Sequence, residues 1–261
     1  MDEMHPSLAR LAKWNLHRFY SKNSWIAKHL PPTTFYTRET LSSFLQKYKT
    51  IYIKANTQHT GKGIIKAWKT TKGYQFVKVR GKTTFASSIE DIHQHIKNTS
   101  PQTTYIVQKA IDLAEINSRP FDIRVMMMRD GQCKWNYAGM VVKVAGQGSV
   151  VSNVQRGGGY VTSIEDALKQ SLLFNNERIE SIKKQLISLS YIIMDYSQKF
   201  PFYSFQCGID LAVDKNGRIW IIEVNLHNPS HGLFNKQKNK SSFKRIGHLY
   251  TDYRKHNKRL I

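Results

Sequence analysis

Three oxygen-bearing side chains late in the chain carry the clearest chemistry. Asp210, Glu223 and Asn225 lie in FQCGIDLAVDKNGRIWIIEVNLHNP, residues 205–229, where two β-rich runs, 209–213 and 219–224, flank Asn216-Gly217. That dipeptide suits a two-residue type I′ hairpin turn. With Asn216 and Gly217 as the turn, counting outward sets Lys215 opposite Arg218, Val213 opposite Trp220, Asp210 opposite Glu223 and Gly208 opposite Asn225. Residues two apart share a face, so Asp210, Glu223 and Asn225 project together, with opposed Cβ atoms roughly 5 Å apart. Carboxylates so placed repel each other, and a hard divalent cation such as Mg2+ turns that repulsion into attraction. An acidic hairpin face turned to water is the ordinary alternative. Against it, Glu223 interrupts the apolar run IWIIEV in a chain poor in acids, where an unpaired carboxylate is costly. Metal binding is the expectation.

A second group lies nearer the N-terminus. Lys54 ends the run TIYIK, and the segment Asn56–Gly63 carries Gly61, Lys62 and Gly63 ahead of another strand, 64–68. Backbone N–H groups in such a loop cradle phosphate oxygens, and Lys54 and Lys62 add positive charge. The loop is not a P-loop, because Gly61-Lys62 is followed by Gly63 instead of Ser or Thr. Arg80-Gly81-Lys82-Thr83 has the Thr but is no P-loop either, since Phe76 holds the leading glycine's place. An ordinary basic hairpin loop is the competing reading. Further along, the backbone of Gln108, Lys109, Ala110 and Ile111 offers donors and acceptors suited to an adenine edge. Asp122 and Arg124 share a strand face, either as a surface ion pair or with Arg124 holding a phosphate or carboxylate bidentately. Lys143 is the cationic residue of the strand 135–144. Asn153, Arg156 and three successive glycines, 157–159, form an open loop that lets a ligand approach the backbone or merely connects two elements.

These groups need a scaffold, and the hydrophobic pattern supplies one. Leu41, Phe44, Leu45 and Tyr48 mark a helix over 38–48, Ser88-x-x-Asp91 caps another, and strands are expected at 50–54 and 74–80. Helices are expected over 163–173, opened by Ser163-x-x-Asp166, and over 176–198, where Ile179, Ile182, Leu186, Leu189 and Ile193 form a core stripe. Residues 6–29 read as short basic helices, and the stretch after Pro229 as a basic, aromatic-dotted tail or terminal helix.

Composition narrows the partners. Forty Lys and Arg against 18 Asp and Glu give a net charge of +22 over 261 residues, a field that favours nucleotides, nucleic acids, acidic polymers or anionic membranes. Two isolated cysteines, Cys133 and Cys207, indicate neither a disulfide framework nor a zinc site, as in a reducing cytoplasm. No signal peptide and no apolar run long enough for a membrane span are found.

Taken in order, Lys54, the Gly61-Lys62-Gly63 loop, the 105–111 connection, Phe121-Asp122-Ile123-Arg124, Asn153 with Gly157-Gly158, Asp210 and Glu223-Val224-Asn225 resemble the ATP-grasp superfamily. Within it, Trp14, LPPT, GKGI, RPFDIRV and WIIEVNLHNP are most similar to the YheC/YheD group of endospore coat-associated proteins, over roughly residues 10 to 235. The resemblance implies an α+β fold of two lobes, each built on an antiparallel sheet, with ATP between them. It divides the chain into an N-terminal helical segment (1–32), a small lobe with a glycine-rich lid loop (33–110), a large lobe with the metal hairpin (111–235) and a basic C-terminal tail (236–261). It also implies that such proteins carry a further N-terminal region, and that this one is cytoplasmic and spore-associated.

The roles it implies are specific. Lys54 contacts nucleotide phosphates under the Asn56–Gly63 loop, Gln108 to Ile111 form the adenine hinge, and Glu115 contacts the ribose. Gln108 stands where many members have Glu, and Ala55 where many have proline after the lysine. Asp210, Glu223 and Asn225 bind Mg2+, while Arg124 and Asn153 face the transferred phosphate or the substrate. The implied reaction is carboxylate–amine ligation through an acylphosphate, with ATP as phosphoryl donor; the positive charge of the chain, not the resemblance, points to an acidic peptide or polymer as acceptor. Two other classes stay open: a spore structural protein that binds ATP without turnover, and a basic nucleic-acid-binding module.

Overall fold

The computed structural model describes residues 6–58, 63–78, 81–100, 102–147 and 158–258. They form two compact units, one from residues 6–18 and 30–112, the other from 19–29, 113–147 and 158–258.

The first unit begins with α1 (Pro6–Ala9) and most of α2 (Lys13–Tyr20); α3 (Ser24–Ala27) belongs to the second. Strand β1 (Thr33–Phe35) precedes α4 (Arg38–Lys47), then β2 (Thr50–Ala55), β3 (Ile64–Thr70), β4 (Gly73–Lys78), β5 (Thr84–Ala86), α5 (Ile89–Thr99) and β6 (Tyr105–Lys109). The strands make one antiparallel sheet in the order β1-β6-β2-β3-β4-β5. Thr37 and Ser88 cap α4 and α5 with reciprocal capping boxes, so Thr40 and Asp91 satisfy the chain before each helix. In β2 the alternation is strict: Ile51, Ile53 and Ala55 are buried in a core with Leu41, Leu45, Ile92, Ile96 and Val107. Tyr52 and Lys54 therefore lie on the other face, turned away from that core.

The second unit holds β7 (Glu115–Ile116), β8 (Arg119–Arg129), β9 (Trp135–Val144), β10 (Tyr160–Thr162), α6 (Ile164–Leu172), α7 (Asn176–Ser197), β11 (Gln206–Val213), β12 (Ile219–Asn225) and α8 (Ser241–His256). Its sheet is antiparallel in the order β10-β9-β8-β11-β12, with β7 paired to β8. The expected stripe of α7 is buried, and α7 packs on β8 and β9. Ile123, Val125, Cys207, Ile209 and Leu211, all buried, alternate with a second sheet face of mixed character.

That second face is divided. One half is apolar: Met126, Met128, Ala138 and Val141 form a core with Phe234 and Ile246, the latter from α8. The other half carries Asp122, Arg124, Lys143 and Asp210, all buried. The basic segment after residue 236 is thus in large part a packed helix, anchored by Ile246 and Tyr253. Asp252 accepts the Gly131 N–H at 2.6 Å, and Asn257 Nδ2 donates to the Gly131 carbonyl at 3.1 Å. At the helix start, a Cβ on Gly139 would stand 2.4 Å from Ser242 Cβ, so α8 approaches β9 closely only because residue 139 is glycine. Among the described residues no helix is long and apolar enough to cross a membrane.

Candidate functional site

The hairpin that sets Asp210 beside Glu223 is built differently from the two-residue turn expected. Asp214 N–H donates to the Arg218 carbonyl, and Gly217 N–H closes a turn onto the Asp214 carbonyl, with Gly217 at φ +80. This is a three-residue loop with a left-handed glycine, a common hairpin solution. Asp214 Oδ1 accepts the N–H groups of Asn216 and Arg218, and its Oδ2 accepts Trp220 Nε1 at 2.8 Å. Near the turn the register consequently pairs Val213 with Ile219 and Ala212 with Trp220, one residue away from the counted one. A bulge between Asp210/Glu223 and Leu211/Ile221 leaves Ile222 unmatched and restores the count. Asp210 faces Glu223 and Gly208 faces Asn225.

On its other side Asp210 faces Arg124 of β8. Arg124 Nε donates to Asp210 Oδ1 at 2.6 Å and Nη2 to Oδ2 at 2.9 Å, while Lys143 Nζ donates to Oδ1 at 3.0 Å. Lys143 Nζ also lies 2.8 Å from Asp122 Oδ1. Asp122 and Arg124 share a strand face, yet neither is a surface residue, and the fork of Arg124 is on the protein's own carboxylate. Gly208 makes room for it, because a Cβ there would meet Pro229 Cβ at 2.8 Å and Arg124 Nη1 at 3.0 Å. Burial pushes the Asp210 carboxyl up, but the charges of Arg124 and Lys143 outweigh it and hold the group well below the usual carboxylate range. Burial works against charge on Lys143 as well, and Asp122 and Asp210 reverse it, raising Lys143 above an ordinary lysine.

The donor chemistry admits a divalent cation. Asp210, Glu223 and Asn225 present only oxygens, and three carboxylates, Asp122, Asp210 and Glu223, stand against two cations. A carboxylate has about four acceptor positions, and Arg124 and Lys143 already take three on Asp210. Glu223 and Asn225 are both half-buried, and Asp210 could add at most one lone pair to them. Among the described residues no three His, Cys, Asp or Glu side chains cluster as a metal site.

In the first unit, Lys54 Nζ donates to Gln108 Oε1 at 2.6 Å, Gln108 Nε2 donates to Thr33 Oγ1 at 2.8 Å, and Thr33 donates to the Pro31 carbonyl. A lysine is thereby aimed by a neutral amide. The N–H groups of Lys109 and Ala110 are committed to the carbonyls of Pro32 and Thr50, so these two expected hinge donors are spent within the fold. Gly63, at φ +66, packs against Ala55: a Cβ on it would come within 2.6 Å of Ala55 Cβ. Ala55 thus fits the small-residue contact at the base of the loop. Asn56 is fastened to α2, its carbonyl and side chain accepting the N–H groups of Lys13 and Trp14. Gly61, Lys62 and Asn153 lie outside the described residues. Glu115, in β7, is ion-paired with Lys215 at 3.7 Å.

Comparison with known proteins agrees with this architecture. The family described as "YheC/D like ATP-grasp" matches residues 6–256. The chain belongs to that family. Curated relatives include the endospore coat-associated proteins YheD and YheC of Bacillus subtilis (strain 168). YheD is 26% identical over 233 residues, 85% of this chain and 49% of YheD. YheC is 24% identical over 231 residues, 82% of this chain and 58% of YheC. The chain therefore spans about half the length of these relatives. Among solved structures, the ATP-grasp fold recurs in the C-terminal domain of K. lactis Pby1, an ATP-grasp enzyme interacting with the mRNA decapping enzyme Dcp2. That match has a TM-score of 0.53 at 15% identity and covers 94% of this chain and 72% of that one. It recurs in N5-carboxyaminoimidazole synthetase from Staphylococcus aureus complexed with ADP, with a TM-score of 0.54 at 8% identity, covering 93% and 52%.

Proposed function

We propose that the chain is an ATP- and Mg2+-dependent carboxylate–amine ligase. The observation that carries the reading is the acid-rich cluster of the second sheet, where Glu223 and Asn225 stand beside an Asp210 already fixed by two cations. Such a cluster favours a divalent cation, and the lysine aimed by Gln108 favours an anion. In this reading Lys54 donates to the nucleotide phosphates, and the Asn56–Gly63 loop, with Gly61 and Lys62, covers them. Gln108, Lys109, Ala110 and Ile111 line the adenine, and Glu115 contacts the ribose. Mg2+, when bound by Glu223 and Asn225 with a share of Asp210, supplies charge compensation for the phosphates. Arg124 keeps Asp210 in place through Nε and Nη2 and presents Nη1 toward the substrate, a role shared with Asn153.

Chemically, an oxygen of the substrate carboxylate forms a bond to the terminal phosphorus of ATP as the bond to the departing ADP oxygen breaks. An amine nitrogen then attacks the acyl carbon of the acylphosphate, the bond to phosphate oxygen breaks, and an amide, inorganic phosphate and a proton result. The chain's own residues act by position and charge compensation, with no covalent intermediate on the protein.

A second reading, nucleotide binding without turnover in a structural protein of the spore, is favoured by the pairing of Asp210 with Arg124 and Lys143, which leaves the carboxylate little capacity for a metal. Endospore coat association, taken from the relatives' names, is proposed with either reading. The experiment is to incubate the protein with ATP, Mg2+ and pools of amino acids and peptides, measuring ADP release and new amide masses together. ADP release matched by an amide product is the expected result. Mg2+-dependent ATP binding without product across broad pools supports the second reading.

A further inference from the structure

Beyond the charged cluster, the same sheet face opens into a cavity of about 590 Å3 whose lining includes Gln206, Pro229, His231, Lys244, His248 and Tyr250. It lies wholly within the second unit, at the edge of α8. Its lining sets Pro229, Phe243 and Ile246 among lysine, histidine, amide and hydroxyl groups and holds no acid. The inner wall is ordered: His231 Nε2 donates to Gln206 Oε1 at 2.8 Å, and Gln206 Nε2 donates to Asn228 Oδ1 at 3.3 Å. Gln206 is only 6% exposed, so this amide is part of the fold and not a loose surface group. Pro229 connects the cavity to the cluster, since it and Arg124 crowd the same Gly208 from either side.

The surroundings are strongly basic. Between residues 236 and 258 eight Lys or Arg stand against one acid, Asp252, which is occupied by the Gly131 N–H. Buried Ile246 and Tyr253 turn the apolar side of α8 inward, leaving Lys244, Arg245, Arg254 and Lys255 exposed. A helix of this length spans roughly 24 Å, the reach of seven or eight extended residues.

We propose that the cavity and the basic face of α8 bind an acidic polypeptide, a glutamate- or aspartate-rich chain, with one carboxylate entering the cavity beside Lys244. Charge complementarity selects an anion. Of the lining aromatics, Tyr250 packs edge-to-face on His231, with centroids 6.0 Å apart, and tilts against Phe205 at 5.8 Å, which leaves Phe243, 36% exposed, as a single open ring where single-stranded nucleic acid stacks on several. That the bound carboxylate is the one phosphorylated rests on the ligase reading; the binding itself does not.

The test is equilibrium binding of a fluorescent octaglutamate peptide at low salt without ATP, followed by anisotropy. K244E reverses an exposed charge at the cavity, and K184E makes the same change at an exposed site on α7. Loss of one charge-assisted contact weakens K244E roughly tenfold, with K184E changed less than about twofold. No binding, or equal weakening by both variants, overturns the site. Displacement of the peptide by an equally charged oligothymidylate at lower concentration than by unlabelled octaglutamate overturns it in favour of nucleic acid. ADP release measured with ATP, Mg2+ and the same peptide separates the two proposals. Binding with no release leaves the site standing and removes the ligase reading for this substrate class. Release with other carboxylates but no peptide binding does the opposite.

Discussion

Lys54 in the first unit and Lys143 in the second are both strand lysines held by hydrogen bonds, and they are held to opposite effect. Lys54 donates to the amide oxygen of Gln108, an uncharged partner that orients the ammonium. Lys143 donates to Asp210 and lies against Asp122, so its charge is cancelled twice over. The partner, not the residue type, decides what an approaching ion meets. In the proposed reading the first arrangement meets the phosphates of the nucleotide and the second the cation.

The contrast is broken most directly by removing its most buried member. Asp210→Ala strands Arg124 and Lys143 without their shared partner, and urea denaturation is expected to show a loss of about 3–5 kcal/mol; a loss under about 1 kcal/mol means the cluster does not hold the sheet together. Lys54→Met should do the reverse, leaving stability within about 1 kcal/mol of wild type while weakening ATP binding by about 1.5–3 kcal/mol, read by calorimetry. Equal affinity in the variant dissociates Lys54 from nucleotide. Gly208→Ala drives a methyl into Pro229 and the Arg124 guanidinium, with an expected cost of about 1–3 kcal/mol. Unchanged stability in that variant, measured by thermal unfolding, would mean that Arg124 can leave Asp210 cheaply.

The smallest effect is in pH. Because the folded-state pKa of Asp210 is depressed, its contribution is complete above the unfolded value of about 3.9 and fades as pH falls toward the folded one. Between pH 6 and pH 3.5 this amounts to roughly 1 kcal/mol or less. Asp210→Asn should lose that slope, so parallel acid titrations of the two proteins contradict the pairing.

Much of this was legible in the residues. The capping pairs Ser88/Asp91 and Ser163/Asp166 lie three apart, and the α7 stripe follows helical spacing, so local rules sufficed. The placement of Asp210 against Glu223 was legible through an incomplete count: the turn is one residue longer than Asn216-Gly217 suggested, and a bulge compensates. Asp214 at the head of Asp-Lys-Asn-Gly is the signal for the longer loop, since Asp favours the first position of a type I turn. The partners of Arg124 were not legible. Arg124 and Asp210 are 86 residues apart, and only the β8–β11 register brings them together. The same holds for Gln108 with Thr33, and for His231 with Gln206, whose pairing depends on how a loop returns across the sheet.

The offset within the β11–β12 hairpin has a consequence for how this chain tolerates change. With Ile222 outside the pairing, the register at Asp210 and Glu223 belongs to the half of the ladder that continues into β8, while the half near the turn keeps a register of its own. The bulge acts as a slip joint: lengthening or shortening the Asp214–Arg218 loop can be absorbed at Ile222 before it reaches the carboxylates. Variation at the tip and constancy at the site can therefore coexist in one pair of strands.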